Sequence, residues 1–319
     1  MFSKKLLIPL LSLSLLVTPA YSSHAAENAE AAGTSVEGQG MLSPSSSSES
    51  SESVFNGSGA GTSSEPVTDE KLETILKQVQ SQLPAENGTW AVFISDLVNG
   101  TEGSLNDQKM QAASLIKLYI MGAVYENYDQ ITGQYGRDSV DSNLYSMITV
   151  SDNDAANTLT TYLGGGDSAA GMQAVNSFCQ AHGYDQTHMG RMLLASNEND
   201  DNYTSVGDCG HLLQEIYKQD TSGYTHAADM FNLLKAQTRC NKIPAQLPEG
   251  VKTANKTGEL DNVENDAGII YDSKNDVVIV FMSQNLSSAG SAQNTIATLF
   301  KIDFPFMISI LIYPPYSFA

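Results

Sequence analysis

Ser114 and Lys117 carry the clearest chemical potential in the chain. They stand in Ala112-Ala113-Ser114-Leu115-Ile116-Lys117, directly ahead of the apolar run Leu118-Tyr119-Ile120-Met121. If that run is a helix, it is apolar on every side and must be buried. The serine and the lysine then share one face of its first turn. A serine hydroxyl is a poor nucleophile until a base takes its proton. A lysine held out of water beside the positive end of a helix is pushed towards its neutral form, which is such a base. Taken alone, the hexapeptide favours a capping serine and a surface lysine, because Ser-x-x-Lys is a weak pattern.

Two later stretches change the balance. Ser151-Asp152-Asn153 follows the short apolar run Met147-Ile148-Thr149-Val150, and Lys256-Thr257-Gly258 ends a segment from Val251 that reads as an edge strand. Ser-x-x-Lys, Ser-Asp-Asn and Lys-Thr-Gly in this order form the signature of class A β-lactamases and penicillin-binding proteins. The sequence resembles the class A β-lactamase branch of the penicillin-recognising serine hydrolases, from about Glu70 to about Leu299.

The resemblance implies a role for each matching residue. Ser114 would attack the carbonyl carbon of a β-lactam or D-alanyl peptide, with Lys117 as base. Ser151 would relay a proton to the leaving nitrogen, placed by hydrogen bonds to Lys117 and Lys256. Asn153 would hold the substrate's side-chain amide, and Lys256 and Thr257 its carboxylate. Gly258 would leave room for the substrate along the strand. The backbone N–H groups of Ser114 and Glu259 would stabilise the oxyanion. Asp152 reads as structural, tying its loop down.

The departure lies in the loop that carries the water-activating glutamate in the family. It begins Met189-Gly190-Arg191-Met192-Leu193-Leu194-Ala195-Ser196-Asn197-Glu198. Arg191 matches the loop-anchoring arginine, but Leu193 stands where the glutamate is expected. Glu198, Asp200 and Asp201 are nearby carboxylates and read as solvated loop charges, with Glu198 the one candidate substitute. The interval from Ser114 to Ser151 is also shorter than in the family, which implies a reduced helical subdomain and a groove opened on one side.

These residues need elements to hold them. Leu72, Ile75, Leu76, Val79 and Leu83 recur at helical spacing after Thr68-Asp69-Glu70, and Pro84 ends the run. Trp90 to Ser95 reads as a strand, with Asn99-Gly100 as a two-residue hairpin turn into a second. Ala267–Tyr271 and Val277–Met282 read as late strands, and about Ser291 to Phe300 as a closing helix. The expected fold is α+β: one antiparallel sheet completed by the two chain ends, with the first and last helices on one face and an all-helical subdomain on the other.

The chain ends read differently from this domain, which spans 67–301. Residues 1–26 have a secretory pattern, with Lys4 and Lys5 ahead of an apolar core too short to span a bilayer. Residues 27–66 are rich in Ser, Gly and Glu, a composition that cannot offset its ordering entropy. Residues 302–319 are apolar and proline-containing, and fit neither the fold nor a span. The expected location is extracytoplasmic, with no transmembrane span, as a monomer.

A net charge of −20 argues against nucleic-acid partners and anionic membranes. No Cys-x-x-Cys or His-Glu-x-x-His pattern supports a metal site, and no cofactor is implied. The three cysteines allow at most one disulfide, and Cys209–Cys240 is the expected pair, leaving Cys179 free. Three functions fit these residues. The first is a serine hydrolase acting on β-lactams, the second a D-alanyl-D-alanine peptidase of the wall, and the third a protein that only binds penicillin or wall peptide.

Overall fold

The computed structural model describes residues 70–219, 224–271 and 276–299. The secretory pattern, the Ser-rich segment and the tail therefore lie outside the described residues. The chain divides into two units, Met1–Gly61 and Thr62–Ala319, and every described residue falls in the second.

Helix α1 (Glu70–Gln82) is followed by strands β1 (Thr89–Asp96) and β2 (Thr101–Leu105) and the short β3 (Met110–Gln111). A 3-10 turn (Ala113–Leu115) leads into α2 (Ile116–Glu126), α3 (Tyr128–Tyr135), α4 (Arg137–Thr149), α5 (Asn153–Leu163) and α6 (Ser168–Ala181). After β4 (Tyr203–Thr204) come α7 (Val206–Lys218), α8 (Ala227–Lys235) and a 3-10 turn (Ile243–Gln246). Strands β5 (Lys252–Leu260), β6 (Val263–Tyr271) and β7 (Val277–Gln284) precede helix α9, over 289–299. No described helix is long and apolar enough to cross a membrane.

The main sheet runs β2-β1-β7-β6-β5, with antiparallel pairing throughout. First and last strands meet at its centre, as expected, and β5 is an edge. Side chains alternate across a strand, and here both faces are covered. Val92, Ile94, Ile279 and Phe281 face Leu72, Ile75 and Val79 of α1 and Ile296 of α9. Ala91, Phe93, Val278 and Val280 belong to the opposite core with α2 and the helical part. Double-sided burial explains why β7 is a continuous apolar run rather than an alternating one.

The β1–β2 turn differs from expectation. Asp96 pairs directly with Thr101, so the loop is Leu97–Gly100, four residues rather than two. The Asp96 carboxylate accepts from the N–H groups of Val98 and Asn99, both at 2.9 Å. An aspartate able to satisfy its own turn removes the need for the tighter geometry.

Candidate active site

Ser114 sits in the 3-10 turn just before α2 rather than in the helix itself. The turn is held by a Leu115 N–H to Ala112 carbonyl bond of 3.0 Å. Asn265 of β6 adds bonds from its amide to Gln111 O at 2.9 Å and Ala112 O at 3.2 Å. Ala113 has φ of 47°, a left-handed conformation that costs an alanine energy and is sustained by its surroundings. Gly258 completes the fit, since a Cβ there would lie 2.9 Å from Ala112 O and 3.3 Å from Leu115 N. Its lack of a side chain thus serves first to let β5 approach the Ser114 turn, a closer reason than room for a ligand.

Behind Ser114, α2 is buried from Ile116 to Tyr125, and that burial includes Lys117. Lys117 Nζ donates to Ser151 O at 2.6 Å, Ser151 Oγ at 3.2 Å and Asn153 Oδ1 at 2.7 Å. Among the described residues it forms no hydrogen bond to the Ser114 hydroxyl. Burial is the main cause that lowers its pKa to about 7; the nearby Asp152 charge opposes this and Arg239 adds to it. Lys256 Nζ donates to the same Ser151 Oγ at 2.9 Å and to Thr257 O at 2.7 Å. Burial, then the charge of Lys117, push the Lys256 pKa well below its usual value. One hydroxyl therefore joins two amines that disfavour being charged together.

Local structure explains why Ser151 can stand between them. It has φ of 62°, which turns the chain between α4 and α5. Asp152 then caps α5, accepting from the Ala155 N–H at 2.9 Å. That is the structural role its position suggested.

Ser114 opens onto two adjoining cavities. One, of about 300 Å³, is lined by Ser114, Asn153, Leu193, Leu194, Asn197 and Glu259, among others. The other, of about 130 Å³, is lined by Ser114, Ser151, Asn153, Arg239, Thr257 and Glu259. Lys256 is fully buried and borders neither. The cation that does face the second cavity is Arg239. It donates from Nη1 to Glu259 Oε2 at 3.3 Å and from Nε to Val150 O at 3.4 Å.

The loop after α6 borders the larger cavity. Arg191 Nε donates to the buried Asp201 at 2.7 Å, so this arginine does anchor the loop. Leu193 is 8 % exposed. Glu198 is exposed, with its N–H on Ser196 Oγ at 3.3 Å.

The expected disulfide is absent. All three cysteines are free, Cys179 and Cys209 buried and Cys240 exposed. Cys209 lies inside α7, where Tyr119 OH donates to its Sγ at 3.4 Å, while Cys240 donates to Gln237 O at 3.9 Å. Sequence spacing carries no information about the distance between such sites, so it could not separate this arrangement from a bridge.

The pattern of the beta-lactamase enzyme family matches residues 71–136 and 132–302. The chain belongs to that family. No curated protein matches its sequence. Among solved structures it is similar to PBP-A, with a TM-score of 0.65 and 21 % identity over 75 % of this chain and 97 % of that one. A PBP-A mutant with leucine replaced by glutamate, described as an acyl-enzyme complex with penicillin G, gives 0.64 and 21 % over the same shares. An ancestral class A β-lactamase of Gram-negative bacteria gives 0.63 and 19 %, over 73 % of this chain and 99 % of that one. These likenesses show the β-lactamase/transpeptidase-like fold.

In this beta-lactamase-family chain the predicted residues Ser114, Ser151, Asn153, Thr257 and Glu259 line the two adjoining cavities, while Lys117 and Lys256 are buried behind Ser151 and Gly258 packs against the Ser114 turn. Sequence reasoning missed Arg239, Lys242 and Asn157. Arg239 and Lys242 are cations just upstream of the Lys-Thr-Gly strand in an acidic chain, a signal that could have drawn attention to them.

Proposed function

We propose that this beta-lactamase-like protein is an exported serine acyl-transfer enzyme, acylated at Ser114 by β-lactams and slow to release the acyl group. What carries this reading is Lys117, fully buried with its pKa lowered to about 7, joined through Ser151 to Lys256. Neutral Lys117 takes the Ser114 proton as Oγ attacks the lactam carbonyl. The oxyanion is held by the N–H groups of Ser114 and Glu259. The C–N bond breaks as Ser151 passes a proton to the nitrogen, drawing on the amine pair behind it. Asn153 holds the side-chain amide, and Thr257 and Arg239 receive the carboxylate, with Lys256 behind them.

Release of the acyl group requires a water activated by a base, which contributes about 10²–10⁴-fold. Leu193 borders the cavity and can neither take a proton nor orient water. This favours a second reading, a wall enzyme or penicillin-binding protein for D-alanyl peptides on the same residues, and the likeness to PBP-A supports it.

Time courses with a chromogenic cephalosporin and a D-Ala-D-Ala peptide, combined with intact-mass spectrometry after penicillin, test both. A Ser114 adduct with slow cephalosporin turnover is expected. Peptide turnover would favour the wall enzyme. An adduct that survives Ser114→Ala would sink both readings.

A further inference from the structure

Lys242 is fully buried, and the acyl-transfer scheme gives it no role. It precedes the 3-10 turn Ile243–Gln246 and reaches the back of β5. Its Nζ donates to Asn265 O at 3.0 Å and to Gly258 O at 3.4 Å. It also meets Glu259 Oε1 at 3.2 Å and the buried Glu264 Oε2 at 2.7 Å, the latter an ion pair whose angles fall outside hydrogen-bond range. A lysine needed only to neutralise Glu264 would account for the carboxylates. It would not account for an ammonium placed on two backbone carbonyls.

Those carbonyls have a particular position. Gly258 and Asn265 are register partners across β5 and β6, and one ammonium reaches both of their carbonyl oxygens. Partner carbonyls come that close only in the hydrogen-bonded kind of antiparallel pair, where they face each other's strand, so the Gly258 carbonyl is turned towards β6. A trans peptide points its C=O and its N–H in opposite directions. The N–H of that same peptide, which belongs to Glu259, therefore faces the free edge of β5. The Ser114 turn packs over the face of β5 at Gly258, where a Cβ would touch it, and Ser114 and Glu259 line the same two cavities. A positive charge on the carbonyl side draws electron density through the peptide and strengthens the N–H as a donor.

We propose that Lys242 is a positioning residue that polarises the Gly258–Glu259 peptide from behind, making the Glu259 N–H a stronger donor to the oxyanion formed on attack by Ser114. Glu264 and Glu259 set how much of that charge the peptide feels. The inference rests on the acyl-transfer reading above.

The test is the infrared stretch of the ester carbonyl in the penicillin G acyl-enzyme, with the acylation rate constant, in the full chain. Stronger donation to the carbonyl lowers the stretch. Glu264→Gln keeps the shape and the contact with Gln293 but removes a negative charge from Lys242. It is expected to lower the stretch and speed acylation. The double variant Lys242→Met, Glu264→Gln removes the cation without stranding Glu264, and the other buried carboxylate near it, Asp266, keeps its bonds from the Ile243 N–H and Asn255 Nδ2. It is expected to raise the stretch and slow acylation by about tenfold, less than the loss of an entire oxyanion donor. Opposite signs are what a purely structural role would not produce. If the double variant does not fold, the sign of the Glu264→Gln shift decides alone. A stretch unmoved by Glu264→Gln, or moved upward, overturns the proposal. A parent chain that forms no acyl-enzyme overturns the acyl-transfer reading itself, and this proposal with it.

Discussion

Leu193 and Asn157 are clamped together through both backbone groups of the leucine: the Leu193 N–H donates to Asn157 Oδ1 at 2.8 Å, and Asn157 Nδ2 donates to Leu193 O at 3.0 Å. A side chain on α5 thus fixes the loop residue at the wall of the Ser114 cavity. The clamp uses only the backbone of position 193, so it is open to other side chains there, while the leucine itself also packs in the buried core.

It follows that Leu193→Glu should place a carboxylate at the cavity wall without rebuilding the loop. Deacylation is expected to accelerate by about 10²-fold, towards the lower end of what a positioned base supplies. Glu198→Gln should leave deacylation unchanged, since Glu198 is exposed. Acyl-enzyme lifetimes from time-resolved intact-mass spectrometry measure both. Rapid multiple turnover in the parent that survives Glu198→Gln would mean another group activates the water, with Lys117 the first candidate.

The cysteines give a prediction independent of catalysis. Burial raises the pKa of both Cys179 and Cys209, the latter to about 12, and neither thiol is open to reagent. Cys240 is exposed. Under native, non-reducing conditions a maleimide should label Cys240 alone, and denaturation should release the other two. Labelling of none before reduction would restore the bridge.

Much of the frame is legible in the sequence because its elements carry strong local signals. Helix α2 has no polar face apart from Lys117, so burial was forced. Strand β5 announces itself through the segment from Val251 to Gly258, which it contains from Lys252 on, and α1 through the spacing of Leu72, Ile75 and Val79. The candidate site is legible in residue type but not in contacts. Lys256 appears in sequence as a ligand for substrate carboxylate; only the fold shows it sunk behind Ser151, with Arg239 at the cavity instead. Lys242 and Asn157 act on backbone groups of residues 16 and 36 positions away. Such contacts leave no periodic trace, so no pattern along the chain predicts them.

Arg239 should matter for binding more than for chemistry. It is about half exposed at the side chain and borders the cavity shared by Ser151 and Thr257. A charge-assisted bond to a ligand carboxylate is worth about 1.5–3 kcal/mol. Arg239→Ala is expected to weaken penicillin association by about tenfold or more, with little change in the saturated acylation rate at alkaline pH. A penicillin methyl ester, which lacks the carboxylate, should bind parent and variant alike. Equal loss for acid and ester would remove Arg239 from carboxylate recognition.

The pH dependence of acylation tests the base directly. As the proposed base, Lys117 would act only when neutral, and burial, opposed by Asp152 and aided by Arg239, brings its pKa to about 7. Below that value the amine is protonated, so acylation should fall about tenfold per pH unit; above it the rate should level off. The charged neighbours then predict shifts of opposite sign. Asp152→Asn removes a charge that raises the Lys117 pKa, so the limb should move to lower pH. Asparagine can still cap α5, which keeps the loop in place. Arg239→Ala removes a charge that lowers it, so the limb should move to higher pH. Lys117→Arg should abolish acylation at every pH, because a guanidinium stays protonated. Stopped-flow acylation constants across the neutral range read all four chains. A limb that ignores both neighbouring substitutions would show that the titrating base is not Lys117.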